Sequence, residues 1–153
     1  MKVFVFDLDF TLWDAEGTWC DCTNPPYFLK NGQVFDQSGN HIRLYPDVLN
    51  ILQHLRQFQK NIAVASRTNE PAWARDLLSK MGISHFFDAQ EIYPGSKIMH
   101  LNNISKKLNT PFHEIVFFDD EHRNIDDALK LGVKPVLVGQ GITFEMVNRY
   151  MNE

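Results

Sequence analysis

Short apolar runs alternate with stretches of helical period along most of the chain, the pattern of an α/β domain built on a parallel sheet. Val3-Phe4-Val5-Phe6 is an unbroken run of β-branched and aromatic residues, suited to a strand buried on both faces. Ile62–Ala65 and Ile115–Phe118 are of the same kind, and Ala89–Tyr93 and Val136–Val138 are further strand candidates. Val48, Ile51, Leu52, Leu55 and Phe58 fall on one helical stripe. Asn69 and Pro71 open a second helix, which carries Trp73, Leu77, Leu78 and Met81 on its buried face and stops at Gly82. Pro94-Gly95 turns the chain into a helix with Ile98, Leu101, Ile104 and Leu108; another runs through Ile125 and Leu129 to Gly132, and a last one is expected around Phe144–Met151. The rhythm breaks over residues 14–45, which contain Gly17, Pro25, Pro26, Gly32 and Gly39. Strand-like pieces at Val34-Phe35 and His41–Leu44 predict a two-stranded hairpin turning at Gln37-Ser38-Gly39-Asn40, leaning over the carboxyl edge of the sheet. Residues 1–153 read as a single domain with 14–45 as a flap.

Composition limits the possibilities without choosing among them. With 153 residues, 44% hydrophobic and 22% charged, the chain has ordinary globular values. A domain of this size buries roughly 70% of the surface its unfolded chain exposes. A formal charge of −4 and the lack of any basic run argue against a nucleic-acid partner. The apolar stretches are too short to cross a bilayer, and the first meets Asp7 too soon for a signal peptide, so no membrane association and a cytoplasmic location are expected. Cys20 and Cys22 stand too close together for an ordinary disulfide, and no histidine pair has metal-ligand spacing, so two reduced thiols on a loop are expected.

The informative polar residues lie where the apolar strands end, the edge at which open parallel sheets bind ligands. The first strand runs into Asp7-Leu8-Asp9-Phe10-Thr11, the second into Ser66-Arg67-Thr68, and the one ending at Phe118 into Asp119-Asp120-Glu121. Lys97 opens the helix after Pro94-Gly95, where the helix dipole disfavours a cation and an anionic partner is called for. Gathered carboxylates repel one another unless a cation joins them. A few hard oxygen ligands suit Mg²⁺, which binds through one or two carboxylates plus a phosphate; Asp7 and one of Asp119 and Asp120 would supply them. A carboxylate can also attack phosphorus and split hydrolysis into two displacements through an aspartyl-phosphate, a role open to Asp7. Asp9 is placed to protonate the leaving oxygen and later to deprotonate water. Ser66 and Lys97 would bind phosphoryl oxygens. Trp13 and Trp19 would wall the leaving group, Arg67 would place a positive charge beside it, and Asn124 would orient an aspartate of the site.

In this order these residues resemble the motifs of the haloacid dehalogenase superfamily: Asp7–Thr11 the first, Ser66 the second, Lys97 the third and Asp119-Asp120 the fourth. FDLDFTLW (6–13), the Pro25-Pro26 loop, IRLYPDV (42–48), ASRTNE (65–70), EIYPGSK (91–97) and FFDDEHRNI (117–125) are similar, more narrowly, to the magnesium-dependent phosphatase-1 family, through nearly the whole chain. The resemblance implies a three-layer Rossmann-like α/β fold with a central parallel sheet flanked by helices, capless but for a short flap. It further implies a Mg²⁺ cofactor and hydrolysis of phosphotyrosine or sugar phosphates. Residue by residue it implies Asp7 as nucleophile and metal ligand, and Asp9 as acid/base lending its backbone carbonyl to the metal. Thr11, Ser66, Arg67 and Lys97 would contact the substrate or its phosphate, and Asp120, with Asp119 beside it, would be a metal ligand. The partner expected is a small phosphorylated substrate or a phosphotyrosine peptide, and the chain is expected to act as a monomer. Cys20-Asp21-Cys22 departs from the family pattern.

The main rival is a non-catalytic, phospho-accepting switch domain of receiver type, which also groups carboxylates, a hydroxyl and a lysine around Mg²⁺. In that arrangement the acidic pair ends the first strand and the phosphorylated aspartate comes later. Here the order is Asp7, Ser66, Lys97, Asp119-Asp120, and Asp9 supplies an acid/base that a long-lived aspartyl-phosphate would avoid.

Overall fold

A computed structural model describes residues 1–152. In chain order the first half contains β1 (Val3–Phe6), β2 (Trp13–Asp14), β3 (Phe28–Lys30), β4 (Gln33–Phe35), β5 (His41–Leu44), α1 (Val48–Gln57) and β6 (Asn61–Ser66). The second half contains α2 (Pro71–Lys80), β7 (Ala89–Ile92), α3 (Lys97–Lys107), β8 (Ile115–Asp119), α4 (His122–Leu131), β9 (Lys134–Leu137) and α5 (Phe144–Asn148). Five strands form a parallel sheet in the order β7-β6-β1-β8-β9. β1 lies at its centre, with Val3 opposite Asn61 on one side and Ile115 on the other.

Alternation along the central strands explains the two cores, since successive side chains point to opposite faces. Phe4 and Phe6 join Ile62, Val64, Val116 and Phe118 in the layer shared with α1 and α2. Val3 and Val5 join Ala63, Ala65, Ile115 and Phe117 in the layer shared with α3 and α4. β1 is wholly buried, as its unbroken apolar run requires. Phe118 stacks against Phe6, its partner on the neighbouring strand, with ring centroids 5.1 Å apart. The helical stripes are shorter than their apolar patterns. α1 ends at Gln57 and the chain reverses through Gln59 at φ 57°, which leaves Phe58 as an exposed cap residue. Leu129 is also exposed, because α4 buries Asn124 and Ala128 instead. The last helix ends at Asn148 and continues only as turns.

The segment expected to be a two-stranded hairpin is a four-stranded sheet in the order β2-β5-β4-β3. The β4–β5 pair turns where expected, around a carboxylate: Asp36 accepts from the amides of Asn24, Ser38 and Asn40 and from the Asn40 side chain, all at 2.8–2.9 Å. A second hairpin joins β3 to β4 through Asn31-Gly32, both at positive φ (54° and 74°), the conformation that makes Asn-Gly a strong two-residue hairpin signal. β2 closes the other side, Trp13 pairing with Leu44, which ties this sheet to the end of the β1 loop. Among the described residues no helix is long and apolar enough to cross a membrane.

Candidate active site

Asp7 leaves β1 with the ladder intact, its amide donating to the Phe118 carbonyl at 3.0 Å. The chain then doubles back: the Leu8 carbonyl accepts from the amides of Thr11, Leu12 and Trp13, and Phe10 takes a left-handed conformation at φ 63°. Asp7 and Asp9 therefore line the same pocket, of about 310 Å³, together with Ser66, Arg67, Asp120 and Trp19. Thr11 and Lys97, expected at the phosphate, are wholly buried and both touch Asp7. Thr11 donates its hydroxyl to Asp7 Oδ2 at 3.3 Å. Lys97 Nζ donates to Asp7 Oδ1 at 3.1 Å, Asp119 Oδ2 at 2.6 Å and the Ala65 carbonyl at 2.8 Å. An ammonium has three donors, and all are used inside the protein.

Carboxylate oxygens of Asp7, Asp119 and Asp120 lie within 4.8 Å of one another, and Lys97 is the cation buried among them. Burial, followed by repulsion from Asp119, pushes the Asp7 carboxyl well above its ordinary range, against the pull of Lys97. Burial also raises Asp120, with Asp119 adding to it. Burial works against the charge on Lys97, but Asp7 and Asp119 outweigh it and hold the ammonium above its ordinary value. Asp119 is engaged on both oxygens: Oδ1 accepts from the Glu121 amide, and Oδ2 from Lys97 and from Asn124 Nδ2 at 3.1 Å. Asp120 instead faces the pocket.

Asn124 has a second partner, accepting from an Arg67 guanidinium nitrogen at 3.1 Å. It orients an aspartate, as the sequence suggested, and also fixes Arg67, which the sequence did not reveal. Arg67 Nε is buried without a hydrogen-bond partner, while the residue itself lines the pocket. Ser66 lines the pocket, and its Oγ accepts from the Thr68 amide at 3.3 Å.

Asp9 is held by two donors from the chain that follows it, one of them in the Cys20-Asp21-Cys22 stretch. Its Oδ1 accepts from the Trp13 indole N–H at 2.7 Å and from the Cys20 amide at 2.8 Å. Burial raises its pKa to about 6, and these two donors, with the Cys20 thiol, limit the rise. Trp13 is therefore no pocket wall: it is wholly buried, and the tight turn at Phe10 brings its indole back to Asp9. Trp19 does line the pocket, 52% exposed, with its ring edge-on to Phe10 at 6.1 Å. Both thiols are free; Cys20 is buried 3.7 Å from the Thr68 hydroxyl, and Cys22 is exposed at the pocket.

The family model described as Acid Phosphatase matches residues 1–153. Human "Magnesium-dependent phosphatase 1" is 41% identical over 150 residues, covering 97% of this chain and 84% of that protein. A "HAD-like hydrolase superfamily protein" of Schizosaccharomyces pombe is 38% identical over 145 residues, covering 86% and 82%. Among solved structures, a HAD-superfamily hydrolase from Ehrlichia chaffeensis superposes with a TM-score of 0.73 at 14% identity, covering 99% of this chain and 96% of that one, a likeness of fold. A full-length family match, a relative of this identity and a shared fold have one reading: the chain belongs to the magnesium-dependent phosphatase-1 family of the haloacid dehalogenase superfamily.

Proposed function

We propose that this chain is a Mg²⁺-dependent phosphomonoester hydrolase that carries the phosphoryl group on Asp7. The observation that supports this most is the imbalance at the sheet edge: three carboxylates within 4.8 Å of one another against one buried lysine. Ionised together they leave a charge of −2 (three minus one) that a divalent cation balances, and the donors are the hard oxygens Mg²⁺ prefers. With Asp119 engaged by Lys97, Asn124 and the Glu121 amide, Asp7 and Asp120 are the side chains that would hold the ion, beside the Asp9 backbone carbonyl. When bound, Mg²⁺ would neutralise charge on the phosphoryl oxygens and on Asp7.

The chain's own groups then divide the work. Asp7 attacks phosphorus as the bond to the leaving oxygen breaks, and Asp9 gives that oxygen a proton. Water next attacks the phosphorus of the aspartyl-phosphate, passing its proton to Asp9, so that Asp7 is freed and inorganic phosphate leaves. A carboxyl raised to about 6 by burial suits both duties near neutral pH. Ser66 and Arg67, both lining the pocket, would hold phosphoryl or neighbouring substrate oxygens, while Lys97 and Thr11 set the position and charge of Asp7. Asp9 in the pocket favours turnover over a phospho-accepting switch. Substrates would be aryl or sugar phosphates, phosphotyrosine included, with residues 14–45 acting as a flap and Trp19 against the leaving group.

Phosphate release from p-nitrophenyl phosphate, a phosphotyrosine peptide and sugar phosphates tests this. Activity should continue through many turnovers, vanish on chelation and return with Mg²⁺. Full turnover in chelator, or release that stops after one equivalent, would overturn it.

A further inference from the structure

Two N–H donors on Asp9 converge on a single oxygen. Trp13 Nε1–H and the Cys20 amide both reach Oδ1, at 2.7 and 2.8 Å. A carboxyl oxygen has two lone pairs, and two N–H donors at these distances occupy both. A proton on Oδ1 would have to displace one of these bonds, in a buried site where an unpaired indole or amide N–H is costly. The neutral carboxylic acid therefore carries its proton on Oδ2.

We propose that Trp13 is a positioning residue for proton transfer: its indole, with the Cys20 amide, reserves Oδ1 and assigns the transferable proton to Oδ2 of Asp9. The inference rests on the reading of Asp9 as acid/base. It adds why Asp9 has one productive orientation, and it gives a role to a tryptophan that does not touch the pocket.

The surroundings make the indole a fixed post rather than a mobile donor. Trp13 is wholly buried, belongs to β2 and pairs with Leu44 of β5, while its own amide bonds to the Leu8 carbonyl within the turn that carries Asp9. The Cys20 amide is fixed separately. Its residue opens a single 3₁₀ turn, Cys20–Cys22, its carbonyl accepts the Thr23 hydroxyl at 2.6 Å, and its thiol lies against Thr68 of the Ser66 loop. One donor thus comes from the small sheet and the other from the loop beside it. Cys20 contributes its backbone amide, which no side-chain substitution removes, and its thiol also bears on Asp9, so Trp13 is the N–H donor to Oδ1 that a substitution can delete.

Trp13→Phe keeps a large buried ring and deletes only the N–H. The measurement is kcat/KM, which reports steps up to departure of the leaving group, on p-nitrophenyl phosphate and on an alkyl phosphate. The aryl leaving group scarcely needs a proton; the alkyl one does. Trp13→Phe should lower kcat/KM for the alkyl phosphate at least about tenfold more than for the aryl phosphate. Equal losses on both, or no loss, would overturn the positioning role. Asp9→Asn run alongside separates the failures: if it too loses activity equally on both substrates, the acid/base reading falls, and if it alone discriminates, only the role of Trp13 falls. Should Trp13→Phe not fold, the indole N–H resonance of Trp13 in the otherwise native protein decides. Asp9→Ala, which removes the acceptor oxygen, should move it strongly upfield and speed its exchange with solvent, and a resonance indifferent to Asp9→Ala would contradict the inference.

Discussion

Lys97→Met tests how the buried charges are arranged. The lysine is 0% exposed and satisfies two carboxylates and a carbonyl, at 3.1, 2.6 and 2.8 Å. Methionine fills a similar volume and supplies none of those donors. Removing one partner of a buried ion pair typically costs about 3–5 kcal/mol, because the charge left behind has lost its water and its counter-ion. Here one cation serves two acids, so the upper part of that range, about 4–5 kcal/mol, is expected. For a domain of this size each kcal/mol moves the melting temperature by about 2–4 °C, so Tm should fall by roughly 8–20 °C. The assay is thermal and urea unfolding in chelator, so that no divalent cation replaces the lost charge. Adding Asp119→Asn to Lys97→Met should restore at least about 1–2 kcal/mol, since the stranded charge goes with its partner. Lys97→Met protein within about 1 kcal/mol of the parent, or a double variant less stable than the single, would refute the reasoning.

Asp36 and Trp19 carry two more predictions. Burial alone would raise the Asp36 carboxyl, but the Asn40 side chain and the Asn24, Asn40 and Ser38 amides outweigh it and hold the group below its ordinary value. A depressed folded pKa stabilises above the unfolded value and is lost as pH falls through the folded one. Asp36→Ala should therefore cost about 2–3 kcal/mol at all pH values above about 4, and the gap in urea unfolding should narrow below that; a gap unchanged in strong acid would contradict this. Trp19→Ala should raise KM for aryl phosphates about three- to tenfold with little change in kcat, and unchanged aryl and sugar phosphate kinetics would remove Trp19 from the leaving-group site.

The parts of the fold legible in sequence were those where one physical demand dominates. β1, β6 and β8 are buried on both faces, so their unbroken apolar runs announce them, and the polar residues that end them mark the pocket. Expectations failed where a side chain's surroundings come from distant segments. The indole of Trp13 resembles a pocket wall until the turn at Phe10 carries it back to Asp9. Asn124 shows its link to Arg67 only when the loops after β6 and β8 meet. The sequence shows Lys97 at a helix start, and its ion pair with Asp119, twenty-two residues on, emerges only in the fold. The β3–β4 hairpin is different, for its Asn31-Gly32 turn was a readable local signal, hidden by weak alternation in Phe28–Lys30, whose residues are all exposed.

The most direct test of a phosphoryl group carried on Asp7 is to look for it there. Enzyme turning over p-nitrophenyl phosphate with Mg²⁺ is quenched in acid within milliseconds, digested and examined by mass spectrometry. One phosphoryl group should appear on the peptide containing Asp7, accumulate further in Asp9→Asn protein as the second step slows, and be absent from Asp7→Asn, whose turnover should fall at least about 10³-fold. A folded Asp7→Asn enzyme that retains substantial turnover, or a phosphoryl group found on another residue, would contradict it.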